Sequence, residues 1–185
     1  MKYSYLIFLF LFFIRNSSAQ NVYSASEGEV SFFSETPLEN IEAHNKNVNS
    51  FIDVSHKQIA FVIPIRKFDF EKDLMEEHFN EKYLESDKYP HASFRGNITE
   101  DIDFSKEGKY KVTAIGKITI HGVERKQTYT GELVVKKGEI FLTSEFSVRP
   151  KDHNIIIPKI IYSNIAEVIA VKLKVKYIPY KNEKN

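Results

Sequence analysis

The sequence predicts an all-β domain: an antiparallel β-barrel with one short helix capping an end. Three observations carry that expectation. Apolar and polar residues alternate with period two through most of the chain, as they do along half-buried strands. Glycine turn signals at 107–108, 121–122 and 137–138 cut these runs into short pieces. One segment, residues 72–84, switches to the three-to-four spacing of a helix.

Element by element, the chain opens on LIFLFLFFI at residues 6–14, an unbroken apolar run behind Lys2. With small Ser17 and Ala19 beyond it, this reads as a secretory signal over residues 1–19, cut before Gln20. The run is 9 residues long, short of the roughly 20 a helix needs to cross a membrane. Residues 20–185 then form a single domain, with no internal repeat or linker. Short strands are expected at 28–34, 41–45 and 48–53. A longer one at 58–66 puts Ile59, Phe61, Ile63 and Ile65 on one face.

The helix follows, with Asp73 as its N-cap and Leu74, Met75, His78, Phe79 and Tyr83 along one stripe. The pair Tyr89-Pro90 stops that segment, and strands resume at 92–99 and 111–120. In the second of these, Val112, Ala114, Gly116, Ile118 and Ile120 share a face. Strands at 126–135 and 140–148 follow, the latter facing Ile140, Leu142, Ser144, Phe146 and Val148 inward. A short helix or turn is expected from Ser163-Asn164, ahead of a last strand at 169–177 whose alternate lysines face water. Eight or more strands in a chain of this size suit a closed barrel. Mid-strand Lys117, Glu132, Glu145, Lys172, Lys174 and Lys176 argue against lipid-facing walls, so the apolar side should be the inside.

Composition narrows the function classes. Without residues 1–19 the chain has 24 basic and 25 acidic residues, a balance that gives no basic patch for nucleic acid and no steering to an anionic membrane. Zero cysteines remove thiol catalysis, thiolate metal sites and disulfides. No GxSxG, P-loop or GxGxxG is present, and the carboxylates around the helix read as a solvated face. The 6 histidines are scattered without metal-ligand spacing, so neither a metal nor a catalytic residue is expected. His121 precedes a turn glycine and is read as bonding backbone. His78 has two readings, a satisfied core residue or a polar group at a cavity mouth.

Phenylalanine is abundant: of 15, 11 lie beyond the signal. Phe32, Phe61, Phe94 and Phe146 either pack a filled core or line a ligand tunnel, and small Ala92, Gly96, Ala114 and Gly116 beside them leave room for the second. The glycines equally suit a barrel bend.

The blocks LMEEHFNEKYLESDKYPHASFRGNI (74–98) and GKITIHGVERK (116–126) resemble the YceI-like family, in its short Bacteroidetes-type branch. GEVSFFSETPLENIEAHNK (28–46) and FSVRPKDHNIIIPKIIYSNIAEVIAVKLKVKY (146–177) resemble the family's opening and closing strands in the same order. The resemblance implies a lipocalin-like barrel in the periplasm or outside the cell, holding a polyisoprenoid such as a quinone tail or prenyl pyrophosphate. It carries over only the motif positions His78, Phe79, Tyr89, Pro90, Phe94, His121 and Gly122. The resulting reading is a non-enzymatic carrier with an isoprenoid lipid as its partner and no cofactor beyond a bound lipid. Its expected lining is Phe32, Phe61, Ile63, His78, Phe79, Phe94, Ala114, Gly116, Ile118 and Phe146. A cavity enzyme on the same scaffold and a filled-core interaction domain are the rivals. A homodimer is compatible with all three.

Overall fold

The computed structural model describes residues 22–36, 40–157 and 165–180. The expected signal at 1–19 and the start of the expected turn at Ser163-Asn164 lie outside the described residues. In chain order the elements are β1 (Val22–Glu35), β2 (Asn40–Asn45), β3 (Asn49–Asp53), β4 (Gln58–Pro64) and β5 (Asp69–Phe70), then α1 (Asp73–His78). They continue as β6 (His91–Ile98), β7 (Gly108–Ile120), β8 (Val123–Lys136), β9 (Glu139–Val148) and β10 (Ile169–Pro179).

Antiparallel neighbours run β10-β9-β8-β7-β6-β4-β3-β1, and β1 pairs back onto β10, closing an eight-stranded barrel. Closure leaves no free edge around the wall, which answers the aggregation hazard of an open sheet. β1 makes the closure possible because it is long. Ser24, in its first half, pairs with Phe51 of β3, while Val30 in its second half pairs with Asn45 of β2. Thus β2 and β3 are two halves of one interrupted strand. The polar start of β1, YSASEGE, shows little apolar alternation, so the expected strand began only at residue 28. Pairing on both sides holds it extended, across a bulge between Ala25 and Glu27 that bends the strand.

Two hairpins have two-residue turns with positive φ at both positions, His121-Gly122 (52° and 71°) and Lys137-Gly138 (52° and 76°). Their twist matches that of the flanking strands. A Cβ on Gly122 would also sit 2.5 Å from the Tyr89 ring, so glycine is required there twice over.

The expected helix is shorter and wider than its sequence pattern suggests. α1 covers six residues, and a π-type turn, Phe79–Tyr83, completes the segment. Lys72, rather than Asp73, occupies the N-cap, with no side-chain cap hydrogen bond. Met75, Phe79 and Tyr83, four residues apart, face the barrel, whereas Leu74 is 62% exposed. A stripe of i, i+4, i+8 is the face this widened segment buries.

The end of the barrel away from α1 is packed solid. Ile52, Leu133, Ile140 and Tyr177 are fully buried. The Tyr177 hydroxyl donates to Ser50 Oγ at 2.6 Å, and Ser50 Oγ donates to the Ala60 carbonyl at 2.8 Å. This chain satisfies the buried polar atoms, so the tyrosine seals the floor without an orphaned hydroxyl.

Candidate functional site: an apolar interior in two chambers

Alternation places one face of every long strand inside the closed wall, and the interior is not filled. A chamber of about 190 Å³ lies under α1, walled by Val30, Phe32, Ile65, Phe79, Val148 and Val171 among others. A second, of about 90 Å³, lies deeper, between Phe61, Phe94, Val112, Tyr129, Leu142 and Leu173. Both share Val30, Ile63, Ala92, Ile118 and Phe146, which form a waist between them.

Of the residues expected to line the interior, Phe32, Ile63, Phe79, Ile118 and Phe146 meet in the outer chamber. Phe61, Phe94 and Ala114 join Ile63, Ile118 and Phe146 in the inner one. The structure places His78 and Gly116 in neither. His78 is half-buried on α1, off the Met75–Phe79–Tyr83 stripe. Gly116 pairs with Gly96 where β6 and β7 approach closely. A Cβ on Gly116 would lie 2.2 Å from the Arg95 carbonyl oxygen and 2.5 Å from Gly96 Cα. The glycine pair therefore serves the bend of the wall rather than sparing volume inside it.

The outer chamber holds residues that alternation alone did not single out. Phe68 and Phe70, separated by one exposed aspartate, join Phe32 and Phe79 in a four-ring cluster with centroids 5.0–5.8 Å apart. The FDF triplet is itself a period-two signal, hidden by its brevity: β5 is two residues long.

A strap of residues 149–157 closes the chamber's side. β8 and β9 pair only from Glu132↔Thr143 to Lys136↔Glu139, while β7 and β8 pair along their full length. Above Gly131 the two strands part, and the strap fills the space, turning Pro150, Ile155 and Ile157 inward. Polar contacts hold it to β8. Arg125 Nε donates to the Asp152 carbonyl at 2.9 Å, and His153 Nδ1 donates to the Val123 carbonyl at 3.3 Å. His121 ties strap to helix segment: Nδ1 donates to the His153 carbonyl at 3.1 Å, and Nε2 lies 2.7 Å from Glu85 Oε2. The ring of Tyr89 packs edge-on against it, with centroids 4.5 Å apart. His121 thus bonds backbone, as read from its place before a glycine, and also a carboxylate that lies two strands earlier in the chain.

The lining is apolar nearly throughout. Ser34 Oγ accepts from the Ala166 amide at 2.8 Å, and Ser144 Oγ donates to the Thr130 carbonyl at 2.7 Å. Burial raises the Tyr83 hydroxyl above the ordinary tyrosine value and pushes Tyr129 up to about 12, so both remain neutral phenols. Among the described residues no helix is long and apolar enough to cross a membrane, and no cluster of three potential metal ligands occurs.

A closed eight-stranded antiparallel barrel with an apolar cup and a helix at its rim is a lipocalin-like barrel. The family model for the YceI-like domain matches residues 19–177, and the chain belongs to that family. Solved structures share the fold at low identity. A polyisoprenoid binding domain from Saccharophagus degradans, described as implicated in plant cell wall breakdown, is 12% identical with a TM-score of 0.72, over 85% of this chain and 98% of that one. Burkholderia cenocepacia BcnA is 16% identical with a TM-score of 0.68, over 80% and 95%. The Campylobacter jejuni YCEI protein is 20% identical with a TM-score of 0.54, over 75% and 81%. No curated protein matches the chain.

Proposed function

We propose that the protein is an exported, non-enzymatic carrier that encloses the chain of a long isoprenoid lipid, of the prenyl quinone or polyprenyl phosphate type, inside its barrel. One observation carries this reading: two apolar chambers that share five wall residues at a common waist, with α1 and the strap among the walls of the outer one. Each buried methylene contributes about 0.8 kcal/mol, so a run of apolar contacts along the chain gives affinity without a charged anchor. The polyisoprenoid-binding description of one structural neighbour supports it. So does the nature of the lining, where the only ionisable side chains among the described residues are two neutral tyrosines. The chambers are small for a long lipid, so the chain would part the waist to pass from one to the other. Export to the periplasm or beyond rests on the apolar stretch at residues 6–14, with Gln20 as the mature N-terminus.

Native mass spectrometry with a prenyl quinone tests the carrier reading. Wild type should take up one lipid per barrel. Ala92→Phe, which places a ring in the waist, should cut uptake at least tenfold, at a stability cost of about 1–3 kcal/mol checked by thermal melting. Exposed Lys174→Ala should load like wild type. Equal loading of folded Ala92→Phe would reject the chamber assignment, and no loading of wild type by any prenyl lipid would reject the carrier. A chain from the native envelope that still begins at Met1 would reject export by cleavage.

A further inference from the structure

Resting on the carrier reading, we infer that lipid enters and leaves through the side of the barrel, at a split between β8 and β9, and that the strap of residues 149–157 is the gate over it. The roof around α1 stays in place during exchange.

The split starts at a glycine and a serine. β8 and β9 pair only between Glu132↔Thr143 and Lys136↔Glu139. At the apex the strands lie so close that a Cβ on Gly131 would stand 2.6 Å from the Thr143 carbonyl oxygen. Just above it, Ser144 Oγ donates to the Thr130 carbonyl at 2.7 Å, so a side chain satisfies an acceptor that a ladder amide would otherwise take. Nearer the rim the His153 ring does the same for the Val123 carbonyl, at 3.3 Å. On their other sides the same two strands stay zipped to the cover end, β8 to β7 as far as Ile120↔Val123 and β9 to β10 as far as Ile169↔Val148.

Both chambers border this split. Tyr129, Thr130 and Gly131 of β8 and Leu142, Ser144 and Phe146 of β9 wall the inner one. Phe146 and Val148 continue along the outer one, where Pro150, Ile155 and Ile157 of the strap complete the wall. An apolar chain passing through the split therefore meets the interior side-on.

The strap is fastened more lightly than the roof. The roof is tied to the wall by backbone: the Ile65 amide donates to the Pro90 carbonyl at 2.9 Å, and β5 pairs with β2 at Ala43↔Phe70 and His44↔Asp69. The strap's backbone bonds close on itself, from the Asp152 amide to the Arg149 carbonyl at 3.0 Å and from the Ile155 amide to the Pro150 carbonyl at 3.1 Å. Among the described residues no backbone hydrogen bond joins it to a strand. Side chains of Arg125, His121 and His153 hold it, together with its inward isoleucines. Lifting the strap leaves every ladder of the wall intact, whereas lifting the roof breaks the β2–β5 ladder.

The chain has no cysteine, so introduced pairs can be bridged selectively with a short bis-maleimide. Arg125→Cys with Asp152→Cys, at an exposed ion pair, pins the strap to β8. His44→Cys with Asp69→Cys pins the roof to β2. Uptake of a prenyl quinone is followed over time by native mass spectrometry, each bridged variant against its unbridged form, with folding checked by melting curves. The strap bridge should slow uptake about tenfold or more, and the roof bridge should change it by less than about twofold. Equal rates with and without the strap bridge would overturn the side gate, as would a roof bridge that slows uptake as much. Hydrogen exchange of the unaltered, lipid-free barrel gives a second reading: the amides of Asp152 and Ile155 should exchange about tenfold faster than that of Ile65. Strap amides as slow as Ile65 would also overturn the proposal. Failure of the unaltered barrel to load any quinone would sink the carrier reading itself, and this proposal with it.

Discussion

Gly116 shows how much a single residue type can hide. Its position in the run Val112, Ala114, Gly116, Ile118 suggests a small residue sparing cavity volume. The structure assigns it to the closest approach of β6 and β7, opposite Gly96. The Phe94 ring folds back over Gly96, with its Cζ 2.8 Å from where a Cβ would stand. A sheet that must curl into a barrel needs such points, because a side chain on either strand would push the ladders apart. Gly116→Ala should therefore destabilise the fold by about 1–3 kcal/mol through steric conflict with the Arg95 carbonyl, measured by urea denaturation. Unchanged stability would contradict that role. What separates the two readings is the partner across the ladder, and period two within one strand does not contain it. Alternation found Phe32, Phe61, Phe94 and Phe146 for the opposite reason: which face a strand buries is a property of that strand alone.

At the scale of elements, long alternating strands were legible and short or bent ones were not. β9 and β10 lie where alternation put them. β5 and the polar half of β1 exist because neighbours pair with them. The strap was the hardest to read. Its Ile155 and Ile157 alternate, yet residues 149–157 join no strand and are held by a histidine pair and an arginine. That fastening gives it a pH dependence. His153 is 3% exposed, and burial, opposed by the hydrogen bond to Val123, holds its pKa below the ordinary histidine value. Arg125 lowers it further, while Asp152 and the Ile120 carbonyl act the other way. The unfolded chain then takes up a proton first, near pH 6.5, so this site's contribution to stability falls as pH drops through that value. Thermal melts between pH 7.5 and 5 should show a shallower loss for His153→Gln than for wild type. Identical slopes would contradict the assignment.

For the molecule as a whole, closure is the decisive event. A wall of eight paired strands converts one apolar face per strand into a common interior, and a solid floor at Tyr177 leaves α1, the four-ring cluster and the strap as its cover. The barrel thus has its free volume under the cover and a packed floor at the other end. Membership of the YceI-like family agrees with this division, since the matched residues 19–177 span floor, wall and cover together. On the proposed function, an isoprenoid chain runs inside this wall. Photo-crosslinking with a diazirine-bearing prenyl quinone, followed by residue-level peptide mapping, tests it most directly. Adducts should fall on inward Phe32, Ile63, Phe79 and Phe146 and be competed away by excess unlabelled quinone. Adducts confined to outward residues such as Phe51 and Ile115, 48% and 40% exposed, would contradict it.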